Sequence, residues 1–549
     1  MHRRGIVPLL AVREANVLLS RAPVELLLVP CRFLPKLTRI GKRGSCGCSF
    51  ACDAIVVPTE LRHTMKLSDL TSTERKVWQA AVTGTLVDLR VGDSQLDSAE
   101  RWTEWETERT VRAEVIADLL LGGSEAADTP VRGVRLQGAR IAGELNLEAT
   151  MLRCPLALLD CSFAYAINLN EATALSVRLS GSHVPAVRAK QLLTRGDLRL
   201  DKGFRVSGGV ELNGAHIGGD LACTGGHFSN SDGPAINADR LTVDQEMHCD
   251  GGFSATGEVS LLGAHIGGQL SCRGGQFSNP DGCALTAAGL AVDGDMFCDK
   301  GFSVTGEVRL PGAHIGGVLV CTGGQFSNPG GIALNADRLT VNGSMFCDEG
   351  FSATGEVRLP GAHIGGVLDC ESGLFSNPNG RALTAYNLTV DQDMYCRRGF
   401  SVTGEVRLPG AHIGGVLICR GGQFSNPDGY ALNANSLTVD GDMYCDEGFA
   451  ASGEVNLPGA HIGGQLSCKG GKFSNPKGLA LNLGRATVSG PLHMETAVLQ
   501  GIPRPDRCQD EQLPRQSGVV AAEASARRAR LRQHRRCPSD RAAQMATPE

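Results

Sequence analysis

Large rings are scarce in this chain. Three Trp, 5 Tyr and 17 Phe make up 5% of 549 residues, too few for a core built around aromatic clusters. Charged residues reach only 20%, and a mean hydropathy of −0.07 still leaves a core to bury, which argues against general disorder. No apolar run approaches the ~18 residues that a transmembrane helix needs. No convincing signal peptide opens the sequence, because Arg13 and Glu14 cut the apolar stretch that follows Arg3 and Arg4. There is no C-x-x-C pair, and no G-x-G-x-x-G between a strand and a helix, so the common dithiol and dinucleotide motifs are missing. No cofactor is implied, and no catalytic residue or metal ligand set stands out.

Glycine is abundant, with 71 residues, about twice its usual share of ~7%. Twenty cysteines suggest a disulfide framework until their spacing is read. Eleven stand at 223, 249, 272, 298, 321, 347, 370, 396, 419, 445 and 468, with gaps alternating between 26 and 23. Such regularity belongs to a repeat, and reduced thiols in a cytoplasm are the expected state.

The repeat is 49 residues long. Gly-Ala-His-Ile-Gly-Gly places its histidine at His216, His265, His314, His363, His412 and His461, and TGEVRLPGAHIGGVL occurs unchanged from Thr305, Thr354 and Thr403. Each unit divides into two similar halves, Glu307 to Phe326 and Ala333 to Phe351. Setting Leu310 against Leu334, Ile315 against Leu339, Leu319 against Met345 and Cys321 against Cys347 requires two extra residues after Leu339. Apolar residues alternate within a half (Val308, Leu310; Ala313, Ile315; Leu319, Cys321), which is the period of a strand with one buried face. A unit of about 24–25 residues has room for about three short strands and three bends.

The expected fold is all-β: a right-handed parallel β-helix solenoid of 49-residue two-coil repeats with an N-terminal α-helical cap. About fifteen coils at ~4.8 Å would span about 70 Å. FSNPDG at 277–282 and 424–429, with its variants FSNPGG, FSNPNG and FSNPKG, sets Pro second and Gly fourth in a turn, giving alternate coils a wider bend. Gly316 and Gly317 are expected at a corner where a Cβ would crowd the neighbouring coil. Residues 131–204 read as three or four diverged coils, with Leu200 in the cysteine slot, and Met494 takes that slot in the last coil.

Four segments follow. Residues 1–64 form a poorly structured leader, read as an over-extended start before Met65. Residues 65–130 form the helical cap: Thr71-Ser72-Thr73-Glu74 matches a capping box with Gly84 as a stop, and Val111, Val115, Ile116, Leu119 and Leu120 make a second helix ending at Gly122. Residues 131–502 form the β-helix. Residues 503–549 form a disordered basic tail, or a marginal helix around 519–536. Charge is uneven: 10 Lys/Arg against 4 Asp/Glu in 1–64, 16 against 29 in 204–502, and 10 against 6 in 503–549.

LSDLTSTERKVWQA at 67–80, WETERTVRAEVIADLLLGG at 105–123 and VRGVRLQGARIAGELNL at 131–147 resemble an actinobacterial family labelled "membrane-associated oxidoreductase". The coils also resemble pentapeptide-repeat proteins, Leu310 to Ile315 being one five-residue step. The first resemblance implies a redox activity and membrane association. The second implies a nucleic-acid mimic that inhibits a DNA enzyme. An excess of 13 acidic charges over 299 residues is thin for imitating a duplex with one charge per ~1.7 Å.

Three columns remain as chemical candidates. The cysteines are expected inside as an inert ladder. The six histidines point outward, with Arg240, Gly289, Arg338, Asn387 and Ser436 expected in the same slot of alternate coils. Acidic pairs recur at Asp244/Glu246, Asp293/Asp295, Asp391/Asp393 and Asp440/Asp442, interrupted by Asn342/Ser344, and are expected to be a solvated face rather than a calcium site. Cys46, Cys48 and Cys52 lack partners for a tetrahedral zinc site. The functional expectation is a non-enzymatic scaffold presenting a repetitive surface to an unknown protein or polymer. Nucleic acid is disfavoured, the location is cytoplasmic, and peripheral membrane contact is left open.

Overall fold

The computed structural model describes residues 66–93, 95–97, 103, 105, 107–122 and 130–501. The expected leader and tail, the Cys46/Cys48/Cys52 cluster and the marginal helix at 519–536 lie outside them. From Val134 to Gly501 the chain winds as a parallel β-solenoid of about 16 turns. Its strands form three sheets, here called sheet 1 (17 strands), sheet 2 (24) and sheet 3 (14).

One unit shows how the residues build a coil. Ser303–Arg309 lies in sheet 2, His314–Ile315 in sheet 3 and Leu319–Val320 in sheet 1; Gln325–Asn335, Thr340–Val341 and Met345–Phe346 repeat that order one level on. The long sheet 2 strands of these units bend partway, as where the register shifts between Thr305 and Val308. In the diverged coils the two arms are separate strands, as in Leu156–Leu159, Ser162–Phe163, Ile167–Asn168 and Thr173–Ala174. A coil therefore has four sides, not the expected three. Strands of two residues leave one inward side chain per side, and the sharp corners between them accommodate the fourth.

The coil length explains the 26/23 rhythm of the cysteines. Leu319 pairs with Met345 and Met345 with Leu368. Thr305 is level with Ser327, but Val308 is level with Leu334, so the added residues are the Asn-Pro-Gly-Gly of the wide turn. Asn328 Nδ2 closes that turn by donating to Ile332 O at 2.8 Å, and Asn279, Asn377 and Asn426 do the same in theirs. This corrects the alignment of the two halves. Ile315 stands opposite Val341, not Leu339, and Leu310 is level with Ala336, because nothing is inserted after Leu339.

Glycine is required where a coil passes beneath a wide turn. Gly306 has φ +114°, and a Cβ there would come within 2.3 Å of Asn279 O. Gly316 and Gly317 are needed for proximity instead: added Cβ atoms would lie 2.2 Å from Asp293 O and 2.0 Å from Asp295 Oδ1 of the preceding coil.

The interior is a set of ladders. Twelve phenylalanines from Phe204 to Phe473 stack with centroids 5.0–5.6 Å apart and planes tilted 33–51°, a geometry that suits ring quadrupoles. Their 24- and 25-residue spacing was visible in the sequence. Leu/Met, Ile/Val and Ala columns fill the rest. The register places Leu200 level with Cys223 and Met494 level with Cys468.

Two helices lie against the first coil. In α1 (Ser72–Thr83), Thr71 and Glu74 form a capping box and Gly84 ends the helix in the left-handed region. α2 (Ala113–Leu121) ends at Gly122. Val111 is not in α2, as its period suggested; it lies in a short strand, Thr110–Arg112, that pairs with Arg140–Ala142. Val77, Trp78, Ala81, Val115, Ile116, Leu119 and Leu120 join the same core as Val134, Leu136 and Leu145.

Candidate functional site

The histidine column sits on the outer side of sheet 3. Each His-Ile strand turns its isoleucine inward and its imidazole outward. The same slot in alternate coils holds Thr242, Ala291, Thr340, Thr389, Thr438 and Thr487. Arg240, Arg338, Asn387 and Ser436, expected there, instead occupy the left-handed corner two residues earlier, with φ between 53° and 56°, and Gly289 takes that corner in its own coil with φ 65°. The displacement follows from the true position of the insertion.

Five of the six histidines reach toward the next coil. Nε2 lies 2.8 Å from Asp244 for His216, 3.1 Å from Asp293 for His265, 2.9 Å from Asp391 for His363 and 3.0 Å from Asp440 for His412. His461 uses Nδ1 instead, 2.8 Å from Thr487 Oγ1. Opposite His314 the acid is replaced by Asn342. The constant separation of 28 residues between His and Asp was a readable signal that strand alternation alone did not expose. These pairs are about half-exposed, so each stabilises the fold by at most about 0–1 kcal/mol.

The second acid of each pair has a separate task. Asp295, Asp393 and Asp442 accept from the backbone N–H of Val318, Val416 and Gln465 at 2.8 Å, and Ser344 accepts from Val367 N at 3.0 Å in the interrupted unit. Glu246 instead accepts from Gln269 Nε2 at 2.8 Å. The acidic slots therefore hold neighbouring coils together at the Gly-Gly corner, where the expectation was merely a solvated face. Among the described residues no three His, Cys, Asp or Glu side chains converge as a metal site would.

The cysteine column is inside. All eleven are buried, and all fourteen described cysteines are free thiols. Burial pushes Cys468, at the end of the column, up to about 12, while hydrogen bonds between stacked thiols act in alternation along it, lowering Cys272, Cys321 and Cys419 and raising Cys249, Cys298, Cys347, Cys396 and Cys445. Cys283 is the half-exposed member, beside Glu307 in a wide turn.

No helix among the described residues is long and apolar enough to cross a membrane. Comparison with family models, curated proteins and solved structures yields no match.

Proposed function

We propose that the chain is a non-enzymatic scaffold that offers a protein or polymer partner the same polar contact many times along sheet 3. The observation that carries this reading is the histidine–aspartate pair, set in near-identical geometry at 2.8–3.1 Å on four units. Repetition suits valence more than chemistry. A catalytic centre gathers different groups at one place, whereas this face lays out one group at a two-coil interval of about 10 Å. Each contact is weak in water, yet several engaged together raise the apparent affinity steeply.

The test measures valence. Full-length chain, chains lacking one or two 49-residue units, and a variant with His265, His363 and His412 all changed to Ala are immobilised, and cell extract is passed over each. The partner's retention should fall stepwise with units removed and collapse in the triple variant. Equal retention by all four, or complete loss on removing any one particular unit, would replace the repeated surface with a different or unique site.

A further inference from the structure

The outer face of sheet 1 differs from the polar faces of the other sheets. Between its buried Leu/Met and Cys residues, each strand projects one side chain outward. The run is Phe297, Val320, Phe346, Asp369, Tyr395, Ile418 and Tyr444, each level with the next. All are half-buried. The corresponding outward column of sheet 2 is hydroxylic: Thr305, Ser327, Thr354 and Ser376. Six apolar or aromatic side chains in one line on a flat face form the kind of patch that marks an interface.

Beside this stripe runs a largely charged column, one residue beyond the cysteine slot, from Asp250 to Glu495 with Thr322 as its one uncharged member. Three of its arginines lie over the stripe's rings: Arg273 3.6 Å from the Phe297 centroid, Arg397 4.2 Å from Tyr395 and Arg420 4.1 Å from Tyr444. Ion pairs to Asp299, Glu371 and Asp446 at 2.8–3.1 Å hold them there. The face is thus preorganised, with little side-chain entropy left to lose on contact.

The order of charges in that column identifies what covers it. We propose that a second copy of this chain packs on sheet 1, face to face and with its stack running the opposite way. The two-fold axis lies along the strands, between the coil of Leu368 and that of Met394. In this register Glu371 faces Arg397 of the other copy, Asp348 faces Arg420, Asp299 faces Lys469 and Arg273 faces Glu495, while Phe346 meets Ile418 and Val320 meets Tyr444. Every charged pair is of opposite sign, and the symmetry makes each one twice. Shifting by one coil brings Glu371 against its own counterpart, Asp299 against Asp446 and Arg273 against Lys469 in one direction, and Arg397 against its own counterpart, Asp348 against Asp446 and Asp299 against Glu495 in the other, and like charges in contact select against both. Nine coil steps at ~4.8 Å and a width of ~15 Å bury about 1,300 Å² in total, within the range of stable specific interfaces.

Sedimentation velocity on the full chain tests this. Wild type should run as a dimer at micromolar concentration. Arg420→Glu and Asp348→Arg should each weaken the dimer on the order of tenfold or more, and the two together should restore it. That restoration is specific to the register, because within one chain Arg420 pairs with Asp446 and Asp348 with Thr322, so the double variant repairs neither. Phe346→Lys should give monomer. Circular dichroism checks each fold, and Arg420→Gln with Asp348→Asn replaces any reversal that misfolds. Monomeric wild type, single reversals without effect, or a double reversal no better than the singles would overturn the proposal.

Discussion

Replacing Phe351 by Ala tests what holds one coil on the next. Phe351 is fully buried, with ring centroids 5.3 Å from Phe326 and 5.2 Å from Phe375. Truncating a buried Phe costs about 3–5 kcal/mol from lost burial and the cavity left behind. Two ring contacts of about 0.5–1.5 kcal/mol each are part of that loss. Phe473 is equally buried but ends the ladder, with one ring neighbour, Phe449, at 5.2 Å. Phe473→Ala should therefore cost less, by about one ring contact, 0.5–1.5 kcal/mol. Phe351→Leu keeps much of the apolar volume and should cost about 1–3 kcal/mol. Denaturant titration reads the totals. Native-state hydrogen exchange reads their location, and protection should fall in the coils flanking residue 351 before it falls elsewhere, since solenoid coils are coupled to their neighbours. Equal losses for Phe351→Ala and Phe473→Ala, or a Leu variant as damaged as the Ala variant, would refute stacked rings as the inter-coil coupling.

Thiol titration of native protein should label few of the eleven column cysteines and all of them after unfolding, with half-exposed Cys283 reacting first in the native state. At the N-terminal helices, burial opposes ionisation of Glu74, but hydrogen bonds from Arg112 and from Thr71 N–H win and hold its carboxyl at about 2. A depressed pKa stabilises the fold above the unfolded value near 4.5 and stops doing so as pH falls to 2, so Glu74→Gln should lower the thermal midpoint at neutral pH and match wild type near pH 2. Excising 306–354 joins Thr305 to Gly355, restores a native junction and should yield a folded chain two coils shorter. Excising 306–331 leaves Gly355 without the Asn328 turn it packs under and should melt at a lower temperature; equal midpoints for the two excisions would show the coil types to be interchangeable.

Much of the fold was legible because its determinants repeat. His216 to His461 set the period, Cys223 to Cys468 set the half-period, and the capping box at Thr71 needed no tertiary information. What escaped is instructive. Two-residue strands give too few alternations to place a corner, so the fourth side of the coil stayed hidden, and so did the sheet 2 strands that bend through one. The misplaced insertion arose because Leu334 and Leu339 both resemble Leu310 and Ile315 in polarity. Only the pairing of Val308 with Leu334 shows that the turn itself is the added segment. The histidine–aspartate contacts run between coils, so strand alternation within one coil could not reveal them. Val111 fits a helical period with Val115, yet its backbone is taken by pairing with Ile141, and tertiary strand pairing overrides local pattern.

Differences among the repeats themselves bear on which surface matters. TGEVRLPGAHIGGVL is unchanged in three successive units. The tip of the wide turn, by contrast, runs Asp281, Gly330, Asn379, Asp428 and Lys477. That tip is exposed, so packing does not fix it, and it differs from unit to unit. The histidine is just as free of packing, with its side chain about half-exposed, yet all six units retain it. Its aspartate partner is replaced in two units, by Asn342 and by Ser489, yet His314 and His461 are still there. A surface ion pair worth at most about 1 kcal/mol gives the fold little reason to keep one imidazole in six places. A partner that meets sheet 3 at every second coil, as we propose, would supply the reason that the fold itself does not.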